Sequence, residues 1–85
     1  MFEPQYRRII SSFSYAEFGY SNCYIQNNYA HPNIDDIILV FDIYQHYDLN
    51  SGRHSTRVKL LTPTGSIYWQ HEHIIGTYTK RIDNV

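Results

Sequence analysis

The run from Arg57 to Gln70, RVKLLTPTGSIYWQ, constrains this chain more than any other stretch. Two segments of β-branched, aromatic and aliphatic residues flank Thr62-Pro63-Thr64-Gly65-Ser66. Pro63 presets the backbone for the second position of a turn, and Gly65 is free to take the left-handed conformation that re-enters a strand through a bulge. The pattern predicts a hairpin. Thr56, Val58, Leu60 and Thr62 would share one face of its first strand, with Arg57, Lys59 and Leu61 on the other. On the returning strand Ile67 and Trp69 would share a face, opposite Tyr68 and Gln70.

Asp36 to His46, DIILVFDIYQH, predicts the strongest strand. Strict alternation would place Ile37, Leu39, Phe41 and Ile43 on one face and Ile38, Val40, Asp42 and Tyr44 on the other. Apolar residues on both faces of its first half point to a central, covered strand. Tyr47 to Ser55 is a polar connection. His71 to Ile75 suits one turn of 3₁₀ helix, and Gly76 to Ile82 reads as a last strand. Expected strands are therefore 37–46, 56–62, 66–70 and 76–81, with Leu39, Phe41, Val58, Leu60 and Ile67 buried together. Tyr6 to Phe13 reads as a first strand, with a helical turn as the alternative. Residues 14–33 form a long polar and aromatic connection in which Asn22 to Gln26 reads as a short strand.

Eighty-five residues bound this to one mainly β domain. A core this small is marginal unless well packed. A formal net charge of −1 argues against a chain built chiefly to hold a phosphate backbone. The single cysteine, Cys23, cannot form an internal disulfide, which favours a reducing cytosol. No apolar run matches a signal peptide or a membrane span, so no membrane association is expected.

The stretch RVKLLTPTGSIYW, followed by HEHI and IGTY, resembles the small SH3-like β-barrels of tailed bacteriophages. The likeness covers residues 34–82. Asp35-Asp36-Ile37-Ile38-Leu39-Val40 stands where those proteins often begin a strand with Gly-Asp, and Asp35 replaces that glycine. The resemblance implies a small SH3-like barrel of about five antiparallel strands, with an N-terminal strand and long aromatic loop over 1–33 and the barrel core over 34–82. It also implies a phage protein at work in the cytosol of an infected bacterium.

Chemistry-bearing groups are sparse. His71 and His73 would share a face if they lay on a strand, as a metal pair needs, but no further ligands are placed beside them. Cys23 has no flanking motif of a nucleophile, and adjacent Asp35 and Asp36 suit a turn better than an acid/base pair. No catalytic residue, metal site or cofactor is expected, and the chain does not read as an enzyme. Nine tyrosines, by contrast, are many for this length. Tyr15, Phe18, Tyr20, Tyr24 and Tyr29 exceed what a small core encloses, and aromatics are enriched at interfaces.

The expected function is a non-enzymatic protein-binding domain, an inhibitor or modulator of a host or phage complex. Its contact residues would be Phe18, Tyr20, Tyr24, Tyr29, Tyr44 and Tyr47. The alternative is a nucleic-acid-binding barrel using Arg53, Arg57, Lys59 and Tyr68, with the aromatic beside the basic strand. A third reading is a small virion component or a homo-oligomer paired through sheet edges.

Overall fold

Among the described residues, a single curled antiparallel sheet of seven strands forms a half-barrel around one core. The computed structural model describes residues 2–17 and 29–83, with the side chains of Glu17, Tyr29 and Ala30 outside that description. Along the chain come β1 (Gln5–Ile9), β2 (Tyr15–Glu17), β3 (Tyr29–Ala30), β4 (Ile37–Asp48), β5 (Arg53–Leu61), β6 (Ile67–His71), α1 (Glu72–Tyr78) and β7 (Thr79–Ile82). Across the sheet the order is β3-β2-β6-β5-β4-β1-β7.

The expected hairpin is β5–β6. Gly65 has φ +87° and donates its N–H to Thr62 O at 2.9 Å, while Thr62 N–H reaches Ser66 O at 3.0 Å. Thr62 Oγ1 accepts from Ser66 N–H at 3.2 Å, so side chain and backbone hold the same turn. The β4–β5 connection closes through Gly52, at φ +69°, which donates to Asp48 O at 2.8 Å. Ahead of β4, Asp35 takes φ +77°, a conformation open to glycine and tolerated by Asp. Its N–H donates to Ile9 O at 2.8 Å, which ties the turn to the end of β1.

Two expectations are corrected by register. Strand β4 pairs Val40 with Leu60 and then Asp42 with Lys59, so the ladder slips at Phe41. A bulge of this kind reverses which residues face inward. Ile38 and Val40 are inward before it, and Ile43, opposite Val58, is inward after it. Leu39 and Phe41 are therefore only half-buried. On β6, Ile67 pairs with Leu61 and Tyr68 with Leu60, which turns Ile67 outward and leaves it 46% exposed. The core gathers Ile9, Phe13, Tyr15, Ile38, Val40, Val58, Leu60 and Ile75 instead.

The third correction is α1. The segment after β6 is a seven-residue α-helix, and Gly76, Thr77 and Tyr78 belong to it rather than to the last strand. β6 and β7 lie on opposite sides of β5, β4 and β1, so the chain must cross the open side of the sheet between them. A helix makes that crossing while burying Ile75 and packing Ile74 and Tyr78 on the core. Glu72 in its first turn complements the helix dipole, and Thr79 N–H caps Ile75 O.

The aromatic connection also carries structure. β2 pairs with β6 through Ala16–Trp69 and with β3 through Tyr15–Ala30. Tyr15, expected among the surplus aromatics, is a core residue. Its ring lies 5.8 Å from Phe13 edge-on and 4.5 Å from Tyr68. Burial, then Tyr68 and Asp36, push its hydroxyl up to about 12. The expected strand 22–26 and Cys23 fall outside the described residues.

Candidate functional site

The outer face of the sheet divides into two regions. One is an apolar row. Ile82 pairs with Tyr6, Tyr6 with Leu39, Leu39 with Leu61, and Leu61 with Ile67. Directly paired residues point to the same side. Five side chains from five strands thus stand in line on the side away from the core, spanning about 19 Å at a strand spacing of about 4.8 Å. Tyr6 is 42% exposed and Ile67 46% exposed. Ile37, opposite Arg8 one step along β4, is also exposed. A contiguous solvent-side row differs from the scattered apolar residues that any surface carries.

The other region surrounds Trp69. Lys59, Arg57, Tyr44 and His71 share its side of the sheet. The Arg57 guanidinium carbon lies 3.9 Å from the Trp69 ring centre, a cation–π stack. Lys59 Nζ is 3.7 Å from Asp42 Oδ2. His71 meets Trp69 edge-on at 5.5 Å and its ring lies 5.6 Å from that of His73. Burial first, then Arg57, His73 and His46, hold His71 below the usual imidazole pKa. Ala16, Trp69 and Arg57 are buried, which makes this region closed where the apolar row is open. His71 ends β6 and His73 lies in α1, so the two do not form the same-strand pair the spacing would allow. Among the described residues, no cluster of three or more His, Cys, Asp or Glu is placed to hold a metal ion.

The residues expected from the sequence distribute unevenly over these regions. Tyr44 lies opposite Arg57 on the outer face and is half-buried. Tyr47 is 49% exposed beside His54, ring centres 4.9 Å apart, at the far end of the β4–β5 hairpin. Phe18, Tyr20 and Tyr24 lie outside the described residues, and Tyr29 is described only as a backbone position in β3. Of the basic set, Arg57 and Lys59 are neighbours on the outer face, and Arg53 is exposed at the start of β5. Tyr68 is not with them. Paired with Leu60, it points into the core against Tyr15. Trp69 occupies the place expected for Tyr68, because the Leu61–Ile67 register sets the parity of β6.

Comparison with protein families, with curated proteins and with solved structures gave no match for this chain. Its functional reading therefore rests on its own surface. No helix among the described residues is long and apolar enough to cross a membrane.

One concentration of charge escaped the sequence reading. The chain has seven Lys and Arg residues. Arg7 and Arg8 lie on β1 and Lys80 and Arg81 on β7, and these strands are neighbours. Arg7 faces Arg81, and Arg8 faces Lys80. The only signal in the sequence was two basic dipeptides at opposite ends of the chain.

Proposed function

We propose that this chain is a non-enzymatic protein-binding domain that engages its partner through the outer face of the half-barrel. The observation that carries this reading is the cross-strand row Ile82–Tyr6–Leu39–Leu61–Ile67. Such a row costs solvation while the face is bare and contributes to affinity once a partner covers it. Phe18, Tyr20, Tyr24, Tyr29, Tyr44 and Tyr47 supply further aromatic anchors in the same reading.

The finer fold reading is an SH3-like barrel. Its support is the pairing of β1 with both β4 and β7, the β4–β5–β6 meander, and the short helix before the last strand. With the phage resemblance of residues 34–82, the favoured form of the activity is modulation of a host or phage protein complex. Fold likeness alone does not specify that activity.

The test is capture of a partner by immobilised protein, followed by mass spectrometry. Ile67→Asp and Ile37→Asp place charges on exposed positions of the outer face and should leave the fold intact, as circular dichroism checks. Both should lose the partner. A second arm, Tyr20→Ala with Tyr24→Ala, asks what the aromatic loop adds. Retention of the partner by both aspartate variants would overturn the outer-face reading, and nuclease-sensitive capture would put nucleic acid in its place.

A further inference from the structure

The β1–β7 pair breaks a rule that the rest of the sheet obeys. Directly opposed side chains of like charge destabilise an antiparallel pair. Here two such pairs are adjacent: Arg7 opposite Arg81 on the inner side, and Arg8 opposite Lys80 on the outer side. Four cations thus occupy the two strands at one margin of a chain whose net charge is −1.

Little within the described residues offsets this charge. Arg7 is satisfied by neutral acceptors: its Nε donates to Thr79 Oγ1 at 2.6 Å, one terminal nitrogen to Gln5 Oε1 at 2.6 Å, and the other to Thr79 O at 3.2 Å. Arg81 meets Asp83 at 3.1 Å, but both side chains are more than half exposed, where such pairs contribute little. Arg8 and Lys80 are exposed and form no ion pair among the described residues. A shallow cleft of about 410 Å³ is lined by Arg8, Lys80, Arg81, Ile82 and Asp83.

The same place is a sheet edge. Among the described residues, β7 is the last strand in the order. Ile9 donates its N–H to Asp36 O at 2.9 Å, on the β4 side. Alternation therefore turns the N–H and C=O of Tyr6 and Arg8 toward Ile82 and Lys80 of β7. The N–H and C=O of Arg81 point the other way, along the open edge. Lysine and arginine on an edge keep identical chains from pairing there. They do not repel a strand of opposite charge.

We propose that the β7 edge is a docking site for an acidic extended segment of a partner protein, added as an eighth strand beside β7. Main-chain bonds to Arg81 would supply the pairing, and carboxylates on the two sides of the added strand would meet Arg81 on the inner side and Lys80, with Arg8 beyond it, on the outer side. An apolar residue of the segment would cover Ile82, where the outer apolar row ends. That apolar contact favours a peptide over a phosphate backbone, which has no use for it. The proposal rests on the protein-binding reading for the class of partner, but centres on the β7 edge and shares only Ile82 with the outer apolar row.

The test uses the intact protein, a short fluorescein-labelled peptide of repeated Glu-Glu-Val, which sets carboxylates on both sides of an extended strand and a valine for Ile82, its Lys-Lys-Val counterpart, and a short oligo(dT) strand. The glutamate peptide should bind, the lysine peptide should not, and the Arg81 amide should gain hydrogen-exchange protection in the complex. Arg8→Glu faces Lys80 with an opposite charge. It should raise Tm and weaken the glutamate peptide roughly tenfold, an effect on binding that loss of fold cannot produce. Ile67→Asp, at the far end of the apolar row, should leave peptide affinity unchanged, which separates failure here from failure of the outer-face reading. Unchanged affinity in Arg8→Glu, no protection at Arg81, or tighter binding of oligo(dT) than of the glutamate peptide would each overturn the proposal.

Discussion

The β5–β6 hairpin and the β1–β7 pair are both antiparallel two-strand units, and they are built on opposite terms. In β5–β6 the partners are near in sequence, the turn carries its own chemistry, and the opposed residues are compatible: Leu60 with Tyr68 inward, Leu61 with Ile67 outward, Lys59 with Trp69. In β1–β7 the partners stand at opposite ends of the chain, no turn joins them, and two cations face two cations. The hairpin is held by its own sequence. The β1–β7 pair is held by what surrounds it: Ile9 and Thr79 are buried, and Ile10 N–H bonds Tyr78 O at 3.0 Å. A pairing that the rest of the fold enforces can carry side chains that would not choose each other. That freedom is what leaves a charged margin available for binding.

The comparison breaks most sharply at the core of the hairpin. Leu60 is fully buried, and Leu60→Ala should cost about 2–5 kcal/mol, as transfer and cavity terms add. Denaturant unfolding followed by tryptophan fluorescence measures it. A loss under about 1 kcal/mol, well below that range, would mean that the inner face has been misassigned.

A smaller effect is expected at the turns. A Cβ at Gly65 would meet no atom within 4 Å, so the cost of Gly65→Val is purely that of a β-branched residue at φ +87°. That is about 1–2 kcal/mol. Asp35→Gly is the mirror experiment. Asp35 already sits at φ +77°, and glycine should be neutral or stabilise by up to about 1 kcal/mol despite its greater freedom when unfolded. Thermal melts of the two variants should move in opposite directions, or Asp35→Gly should not move at all. A fall in both would show that the Asp35 side chain contributes more than its backbone conformation costs.

The smallest effect sharpens the other half. Arg81→Glu sets a carboxylate opposite Arg7 in place of a like charge. It should stabilise by about 0.2–1 kcal/mol, more at low salt than at high salt. No gain at low salt would mean that the four cations are already compensated and that the contrast between the two strand pairs is overstated.

From the sequence by itself came the mainly β class, the hairpin centred on Pro63 and Gly65, the strand over DIILVFDIYQH, and the inward set Val58 and Leu60. These follow from local terms: turn residues that demand a given φ, and alternation that reads directly within one strand. Three things were decided by the tertiary structure. The bulge at Phe41 reversed the inward side of β4, because only pairing with β5 shows that Val40 meets Leu60 while Asp42 meets Lys59. α1 extended the expected helical turn through Tyr78 and shortened the last strand, because the chain had to cross the open side of the core to reach β1. The charged margin arose because Arg7-Arg8 and Lys80-Arg81, two unremarkable dipeptides in the sequence, became neighbours when the ends of the chain paired. Alternation carries parity along a strand but holds no information about which strand lies alongside, and the surface that matters here is a property of neighbours.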